Sequence, residues 1–253
     1  MVSRIDINCD LGESFGRYTV GHDAEVMPYI SSCNIACGFH AGDPVVMTRT
    51  IELALQHNVS IGAHPSYPDL QGFGRRSMQI PTSELADMLV YQIGALKAMV
   101  EAQGGRLHHV KPHGALYNDA VRDPEIALSI AHSIRKVDSD LVFLGLAQST
   151  MCAAAESADI AFAHEAFMDR AYQADGSLLP RSKPGAVIKD LDQVIQRVLW
   201  LAQEHYTLSA EGERVSVQCD SICLHGDHPQ AAVIASQVYA SLSAQQIQVQ
   251  VFE

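Results

Sequence analysis

The stretch SSCNIACGFHAGDP, residues 31–44, decides the fold class of this chain. It begins as an apolar run compatible with a β-strand, continues through a glycine turn and places His40 just ahead of a helix start. Asp43 can cap that helix, and Pro44 suits its first position because the missing N–H would have no partner there. A strand that ends in a reactive side chain and turns directly into a helix is typical of α/β enzyme sites.

The same strand–turn–helix unit recurs along the chain. Strands are predicted over residues 4–10, 30–37, 59–63, 107–111, 141–146, 160–163 and 221–224, separated by amphipathic helical patterns. Polar side chains follow six of these strands, whereas an open sheet would carry its chemistry only near its switch point. We therefore predict an α/β fold with one domain, residues 1–253, built as a seven-stranded TIM-like β/α barrel; an open α/β sheet is the alternative.

Composition and charge narrow the possible partners. The chain has 17 Lys and Arg against 29 Asp and Glu, and its formal charge of -12 argues against a nucleic-acid or membrane-surface partner. The opening residues MVSRIDINCDLGE lack the apolar core of a signal peptide, and no run approaches the roughly 18 apolar residues of a membrane span. The six cysteines fit small buried side chains in a reducing compartment. We expect a cytoplasmic protein that acts on a small molecule.

Candidate site residues lie at the predicted strand ends. The candidate catalytic residues are Asp10, Glu13, His40, His64, His113, Glu165 and His225. The candidate substrate-binding residues are Lys111, Arg75, Asp169, Arg170 and Asp227. Each alone has a structural explanation, but four histidines at four different strand ends indicate one shared pocket. Four further histidines are scattered and are assigned to the background: His57, His108, His132 and His205.

These residue types allow two kinds of chemistry. Neutral imidazoles with carboxylates suit a divalent metal, for which the best candidate ligands are Asp10, His64 and His113, although no HxxxH or HExxH spacing supports them. Without a metal, the same groups can act as general acids and bases while a cationic side chain holds a substrate carboxylate. The sequence has no GxxxxGK[ST] phosphate loop, strand-linked GxGxxG or GxSxG elbow, so ATP, NAD and serine-hydrolase chemistry lack direct support.

Six ordered motifs resemble the successive signatures of the LamB/YcsF family. They are DINCDLGESFG, SSCNIACGFHAGDP, IGAHPSYPDLQGFGRR, VKPHGALYN, HEAFMDRAYQADGSLLPRSKPGAVI and SICLHGDHP, and together they run from residue 6 towards the last predicted helix. The resemblance implies a seven-stranded β/α barrel of the glycoside hydrolase/deacetylase superfamily. By analogy with metal-dependent deacetylases of that superfamily, it favours Asp10, His64 and His113 as metal ligands.

The resemblance also implies an activity with partners. The family acts with two further subunits, B and C, in ATP-dependent opening of the 5-oxoproline lactam to L-glutamate, with ATP as co-substrate of the complex. Two alternatives remain open at this point: a self-sufficient metal-dependent deacetylase or amidase, and a non-catalytic substrate-binding subunit.

Overall fold

Seven parallel strands close into a barrel in the computed structural model, which describes residues 4–181, 183–227 and 230–253. The strands in these ranges are β1 (Arg4–Leu11), β2 (Ser32–Ala36), β3 (Ser60–His64), β4 (Leu107–Val110), β5 (Val142–Leu146), β6 (Phe162–Phe167), β7 (Tyr206–Leu208), β8 (Arg214–Ser216), β9 (Ser221–Leu224) and β10 (Gln248–Val249). The α-helices there are α1 (Asp23–Val26), α2 (Pro44–Gln56), α3 (Thr82–Ala102), α4 (Gly114–Ala120), α5 (Pro124–Val137), α6 (Thr150–Ser157), α7 (Leu191–Glu204) and α8 (Ala231–Ala244).

The barrel closes because β1 pairs in parallel with both β2 and β9. Between these neighbours the order is β2, β3, β4, β5, β6 and β9, and every adjacent pair is parallel. The predicted seven-stranded barrel is thereby confirmed, and the open-sheet alternative is wrong. The short strand β10 joins the start of β1, where Arg4 lies opposite Gln248, and β7 with β8 forms a separate antiparallel hairpin.

Local sequence signals set several helix starts. Asp43 accepts hydrogen bonds from the N–H groups of Val45 and Val46, as predicted from the Asp-Pro pair, and Asp123 caps α5 in the same way. Helix α3 begins without a side-chain cap. Thr82 is itself the first helical residue, and the preceding Pro81 provides no side-chain cap.

Strand β6 is the main departure from the predicted elements. The predicted strand ended at Ala163 and left His164 and Glu165 at its exit, but β6 continues through both to Phe167. Glu165 is fully buried, and its carboxylate lies 2.7 Å from Nζ of Lys111. In the sequence, the charge of Glu165 interrupts an apolar pattern and therefore looks like the end of a strand. In the structure, the buried ammonium group of Lys111 pairs with Glu165 inside the strand.

The barrel interior is polar, whereas the layer between the barrel and its helices is apolar. The buried polar side chains that bond to one another across the strands are Asp6, Asn8, Ser32, Asn34, His109, Lys111, Glu165 and Ser221. All six cysteines are free, and five of them are buried, which confirms their predicted packing role. Among the described residues, none of the helices combines the length and apolar character needed to cross a membrane.

Candidate active site

The carboxyl ends of the strands surround a cavity of about 400 Å³. Of the predicted site residues, those that line it are Asp10, Glu13, His64, Arg75, Lys111, His113, Arg170, His225 and Asp227. The other three, His40, Glu165 and Asp169, lie behind this lining, each within 3.4 Å of a lining residue. The structure therefore brings all the predicted site residues to one end of the barrel.

Three of the predicted histidines lie against one another at the inner end of the cavity. The rings of His40 and His113 stack with their centroids 3.8 Å apart, and His64 packs edge-on against both. Oε1 of Glu13 lies 3.4 Å from Nε2 of His40 and 3.4 Å from Nδ1 of His113. We call Glu13, His40, His64 and His113 the inner cluster.

Burial controls the protonation of the inner cluster. It lowers the pKa of His40 and of His113 well below the ordinary value, and neighbouring histidines reinforce the effect. Burial raises the pKa of Glu13 well above its usual range, and the negative charges of Asp10 and Asp227 add to the shift. Near neutral pH the imidazoles of His40 and His113 are therefore uncharged and offer lone pairs.

Backbone carbonyls fix two of the imidazole tautomers. Nδ1 of His64 lies 2.7 Å from the carbonyl oxygen of Lys111, and Nε2 of His113 lies 2.8 Å from that of Phe73. Because a carbonyl oxygen only accepts, each of these nitrogens carries the hydrogen. The remaining nitrogens, Nε2 of His64 and Nδ1 of His113, face each other at 3.0 Å.

The loop over residues 67–76 covers the inner cluster. The Phe73 ring packs edge-on against His40 and His113, at centroid distances of 5.6 and 5.3 Å. Gly74 has a φ of +62°, and a Cβ atom there would lie 2.8 Å from the His113 ring and 2.9 Å from Cβ of His40. Only glycine lets the loop approach the histidines so closely.

Lys111 is the charged centre of the barrel interior. Its Nζ lies 2.9 Å from Oδ1 of Asp10, 2.7 Å from Oε1 of Glu165 and 3.1 Å from Oδ1 of Asn8. Burial alone would lower the pKa of Lys111, but the nearby anions, led by Asp10, outweigh it and raise the pKa well above the ordinary value. Its predicted contact with a substrate carboxylate would compete with two carboxylates that already bind it.

Asn34 and His109 form a hydrogen-bonded chain that ends on Asp10. Neither residue was among those predicted from the sequence. Nε2 of His109 lies 2.8 Å from Oδ1 of Asn34, whose amide nitrogen donates to Oδ1 of Asp10 at 2.9 Å. The His109 ring occupies the space that a side chain at Gly62 would fill. The available signal was strand alternation, since His109 and Lys111 are two residues apart and share a face.

His225 and Asp169 form a second hydrogen-bonded pair in the site. Nδ1 of His225 lies 2.8 Å from Oδ2 of Asp169, and its Nε2 lies 2.6 Å from Nη2 of Arg181. The carboxylate accepts from Nδ1–H, so Nε2 carries a lone pair and accepts from the guanidinium. Although burial opposes it, the contact with His225 and the charge of Arg181 hold the pKa of Asp169 below its usual value. Arg181 was not among the predicted site residues.

The remaining arginines differ in their partners. Arg75 lies 2.5 Å from Asp227 across the cavity rim, and its guanidinium packs over the Phe73 ring at 5.0 Å. Arg76, the next residue in the chain, pairs with Asp69. Arg170 donates to the carbonyl oxygen of Leu179 at 2.7 Å, and burial lowers its pKa to about 10. Its guanidinium therefore braces a loop at the edge of the cavity.

The fold and the site define a β/α-barrel protein with an enzyme-like cavity at the carboxyl ends of its strands. The chain belongs to the LamB/YcsF family, whose sequence model matches residues 5–253. This assignment confirms the resemblance carried by the six motifs.

Curated relatives and a solved structure match nearly the whole chain. A Bacillus cereus protein, named as the A subunit of 5-oxoprolinase, is 53% identical over 239 residues, 94% of each chain. A Bacillus anthracis protein of the same name is 51% identical over 249 residues, 98% of each chain. The crystal structure of the lactam utilization protein from Thermus thermophilus has a TM-score of 0.95 at 41% identity, covering 98% of this chain and all of that one.

A more distant solved structure shares the fold alone. A putative cellobiose-phosphate cleavage protein from Enterococcus faecalis has a TM-score of 0.59 at 12% identity, and the match covers 99% of this chain and 98% of that one. At this identity the likeness extends to the barrel and says nothing about substrate.

Proposed function

We propose that this chain is the 5-oxoprolinase subunit that binds 5-oxo-L-proline and hydrolyses its cyclic amide to L-glutamate. The reaction is coupled to ATP hydrolysis and takes place in a complex with partner subunits B and C. The names of relatives at 51% and 53% identity over nearly the whole chain support the reaction class. The likeness to a lactam utilization protein of Thermus thermophilus supports the same substrate class.

The observation that carries the proposal is a histidine base beside a guanidinium in one cavity. 5-Oxoproline presents one carboxylate and one cyclic amide, which need a cation and a proton-transfer group, respectively. Arg181 contacts Nε2 of His225, and among the described residues no carboxylate lies within salt-bridge distance of its guanidinium. Arg181 therefore suits the substrate carboxylate, because guanidinium groups bind carboxylates through paired hydrogen bonds.

The Asp169–His225 pair suits the proton transfers of amide hydrolysis. When Arg181 moves to the substrate carboxylate, Nε2 of His225 is free to take a proton from the attacking water. Water oxygen bonds to the lactam carbonyl carbon, the carbon–nitrogen bond breaks, and His225 returns a proton to the leaving ring nitrogen. Asp169 keeps the imidazole oriented and stabilises its protonated form. The product carries a free amine and a new side-chain carboxylate.

The partner subunits are proposed to bind ATP. This chain has no GxxxxGK[ST] loop that would bind the phosphates of ATP. Its cavity of about 400 Å³ is nevertheless large enough for a phosphorylated form of the lactam. Transfer of the terminal phosphoryl group from ATP to the lactam oxygen, with release of ADP, would make the ring carbon a better electrophile. Attack of the first water and cleavage of the carbon–nitrogen bond then leave an acyl phosphate, which a second water hydrolyses to the side-chain carboxylate and inorganic phosphate.

The test is ATP-dependent glutamate release by the three purified subunits together. His225→Gln in this chain should lower kcat by roughly 10²- to 10⁴-fold, as expected for loss of a general acid–base group. Arg181→Gln should chiefly raise KM for 5-oxoproline. His132→Gln, at an exposed helical position, is the matched control and should leave both constants unchanged. Undiminished turnover by the His225 variant would contradict the assignment.

A second candidate is a self-sufficient amidase or deacetylase. The buried inner cluster favours it, because imidazoles and carboxylates in this arrangement suit hydrolysis without ATP. This chain alone, assayed without ATP or partners on 5-oxoproline and on acetylated amino sugars, decides between the two. Release of glutamate or acetate by the isolated chain would support the second candidate, and a strict requirement for ATP and both partners would support the first.

A further inference from the structure

The inner cluster brings four potential ligand atoms around one point. Glu13, His40, His64 and His113 each offer an atom, and all four atoms lie within 4.8 Å of one another. Oε1 of Glu13 lies 3.4 Å from both Nε2 of His40 and Nδ1 of His113, and Nδ1 of His113 lies 3.0 Å from Nε2 of His64. All four side chains are buried.

Within the part of the chain that the structure describes, two members of the cluster have polar atoms without a hydrogen-bond partner. They are Oε1 of Glu13 and both ring nitrogens of His40, although His40 is only 1% exposed and Glu13 only 5%. Native proteins pair almost all buried polar groups, so several unpaired atoms that converge on one point require an explanation.

The contact between His64 and His113 requires a positive charge between the rings. The ring hydrogens of both residues point away from the contact, towards the carbonyl oxygens of Lys111 and Phe73. Nε2 of His64 and Nδ1 of His113 are therefore both lone-pair acceptors, yet they face each other at 3.0 Å. Two acceptors at this distance repel unless a cation or an extra proton lies between them.

We propose that the inner cluster binds one divalent transition-metal ion of the Zn²⁺ type through Glu13, His40, His64 and His113. Zinc bonds of about 2.0–2.1 Å in a tetrahedral site place neighbouring ligand atoms about 3.3 Å apart. The observed separations of 3.0–3.4 Å fit that spacing. The two carbonyl contacts are the outer hydrogen bonds that orient metal-binding histidines.

Glu13 is a better carboxylate ligand than Asp10, which the sequence analysis favoured together with His64 and His113. Oδ1 of Asp10 already accepts from Lys111 and Asn34, at 2.9 Å each. Its other oxygen lies 3.4 Å from Nε2 of His64, at the edge of the cluster. Among the basic side chains in the described ranges, only histidines lie within salt-bridge distance of Glu13.

A second group of ligand-type atoms is already satisfied by a protein cation. Asp10, Cys223 and His225 also bring ligand atoms within 4.8 Å of one another. Nζ of Lys111, however, lies 2.9 Å from Oδ1 of Asp10 and 3.1 Å from Sγ of Cys223. A metal ion there would face a neighbouring ammonium group, so we assign the ion to the inner cluster.

Calorimetric titration of chelator-treated protein with Zn²⁺ tests the proposal without substrate, ATP or partner subunits. We expect one ion per chain and at least a tenfold loss of affinity in Glu13→Gln and His40→Gln. His132→Gln is the control for general histidine binding and should keep the wild-type affinity. Unchanged affinity in the Glu13 and His40 variants would overturn the proposal. A loss of Zn²⁺ affinity in Asp10→Asn but not in the Glu13 and His40 variants would also overturn it, in favour of a site formed by Asp10, His64 and His113.

Nitrogen NMR of the wild-type imidazoles covers the case in which a variant fails to fold. On addition of Zn²⁺, the resonances of His64 Nε2 and His113 Nδ1 should move, while His64 Nδ1 and His113 Nε2 should stay protonated. Resonances that do not respond to Zn²⁺ and instead report a proton shared by the two rings would overturn the proposal. Because neither measurement uses the reaction, its outcome is independent of the proposed 5-oxoprolinase activity.

Discussion

Nζ of Lys111 lies 2.7 Å from Oε1 of Glu165, and both side chains are buried inside the barrel. Asp10 lies on the other side of the same ammonium group, at 2.9 Å. Lys111→Met would leave both carboxylates buried without their cation, so the free energy of unfolding should fall by about 3–5 kcal/mol. Urea denaturation followed by circular dichroism measures the change.

The control for the Lys111 experiment is the surface pair of Lys97 and Glu101 on α3, whose charged atoms lie 2.5 Å apart; Nζ of Lys97 also lies 3.5 Å from Oδ2 of Asp138. Lys97→Met should change the free energy of unfolding far less, because water screens this pair. Equal losses in the two variants would show that burial of Lys111 does not matter.

Gly74→Ala should displace the inner cluster. The added Cβ would lie within 3 Å of His40 and His113, at a backbone φ of +62° that disfavours alanine. We expect a loss of about 1–3 kcal/mol in the free energy of unfolding, together with weaker Zn²⁺ binding. Denaturation and calorimetry measure the two effects.

Gly94→Ala is the matched control for Gly74→Ala. Gly94 lies inside α3, and a Cβ there would meet no atom within 4 Å. Because alanine has a higher helix propensity than glycine, the free energy of unfolding of this variant should rise by up to about 1 kcal/mol. Its Zn²⁺ affinity should stay unchanged. A Gly74 variant that behaves like the Gly94 variant would contradict close packing of the loop on the histidines.

Asp6 should make stability depend on pH between about 4 and 6. Burial raises its pKa to about 6, although hydrogen bonds from Ser221, Ser31 and Ser32 oppose the shift. The pKa of Asp6 is higher in the folded than in the unfolded protein, so protonated Asp6 contributes to the free energy of unfolding. This contribution is fully present below about pH 4 and is lost as pH rises through about 6. Over that range the wild type should lose about 2–3 kcal/mol relative to Asp6→Asn. Urea denaturation of both proteins at several pH values checks this, and parallel pH profiles would exclude Asp6 as the cause.

Asp169→Asn should impair turnover more than it impairs folding. The substitution removes the negative charge that stabilises protonated His225, whose Nδ1 lies 2.8 Å from the carboxylate. In the three-subunit glutamate assay we expect kcat to fall by roughly 10²- to 10⁴-fold with little change in KM. Asp175→Asn is the control at an exposed carboxylate in the same loop, where Ser177 is the partner. A pure KM effect in the Asp169 variant would assign this residue to substrate binding instead.

Much of the architecture could be predicted because it depends on local signals. The Asp-Pro pair at residues 43–44 gives the start of α2, and the alternation of strand and helix patterns gives a parallel barrel. The boundary of β6 could not be predicted in this way. Glu165 looks like a strand exit until the position of Lys111, 54 residues earlier in the chain, is known.

The candidate site likewise contains residues that the sequence indicates and residues that only the tertiary structure reveals. His40, His64, His113 and His225 are recognisable in the sequence because each follows a predicted strand. His109 was overlooked beside His108, although the two-residue spacing to Lys111 places it inside the barrel. Arg181 follows no strand, and only its contact with His225 reveals a role.

The sequence by itself determined which residues could take part in chemistry and at which end of the barrel they lie, because strand alternation and helix capping are local. The tertiary structure decided which of them meet. In the structure, the carboxylate that contacts both His40 and His113 is that of Glu13, whereas Asp10 forms an ion pair with Lys111. The physical reason is that barrel closure brings together side chains from distant strands, and their distances and tautomers follow from packing that no local pattern encodes.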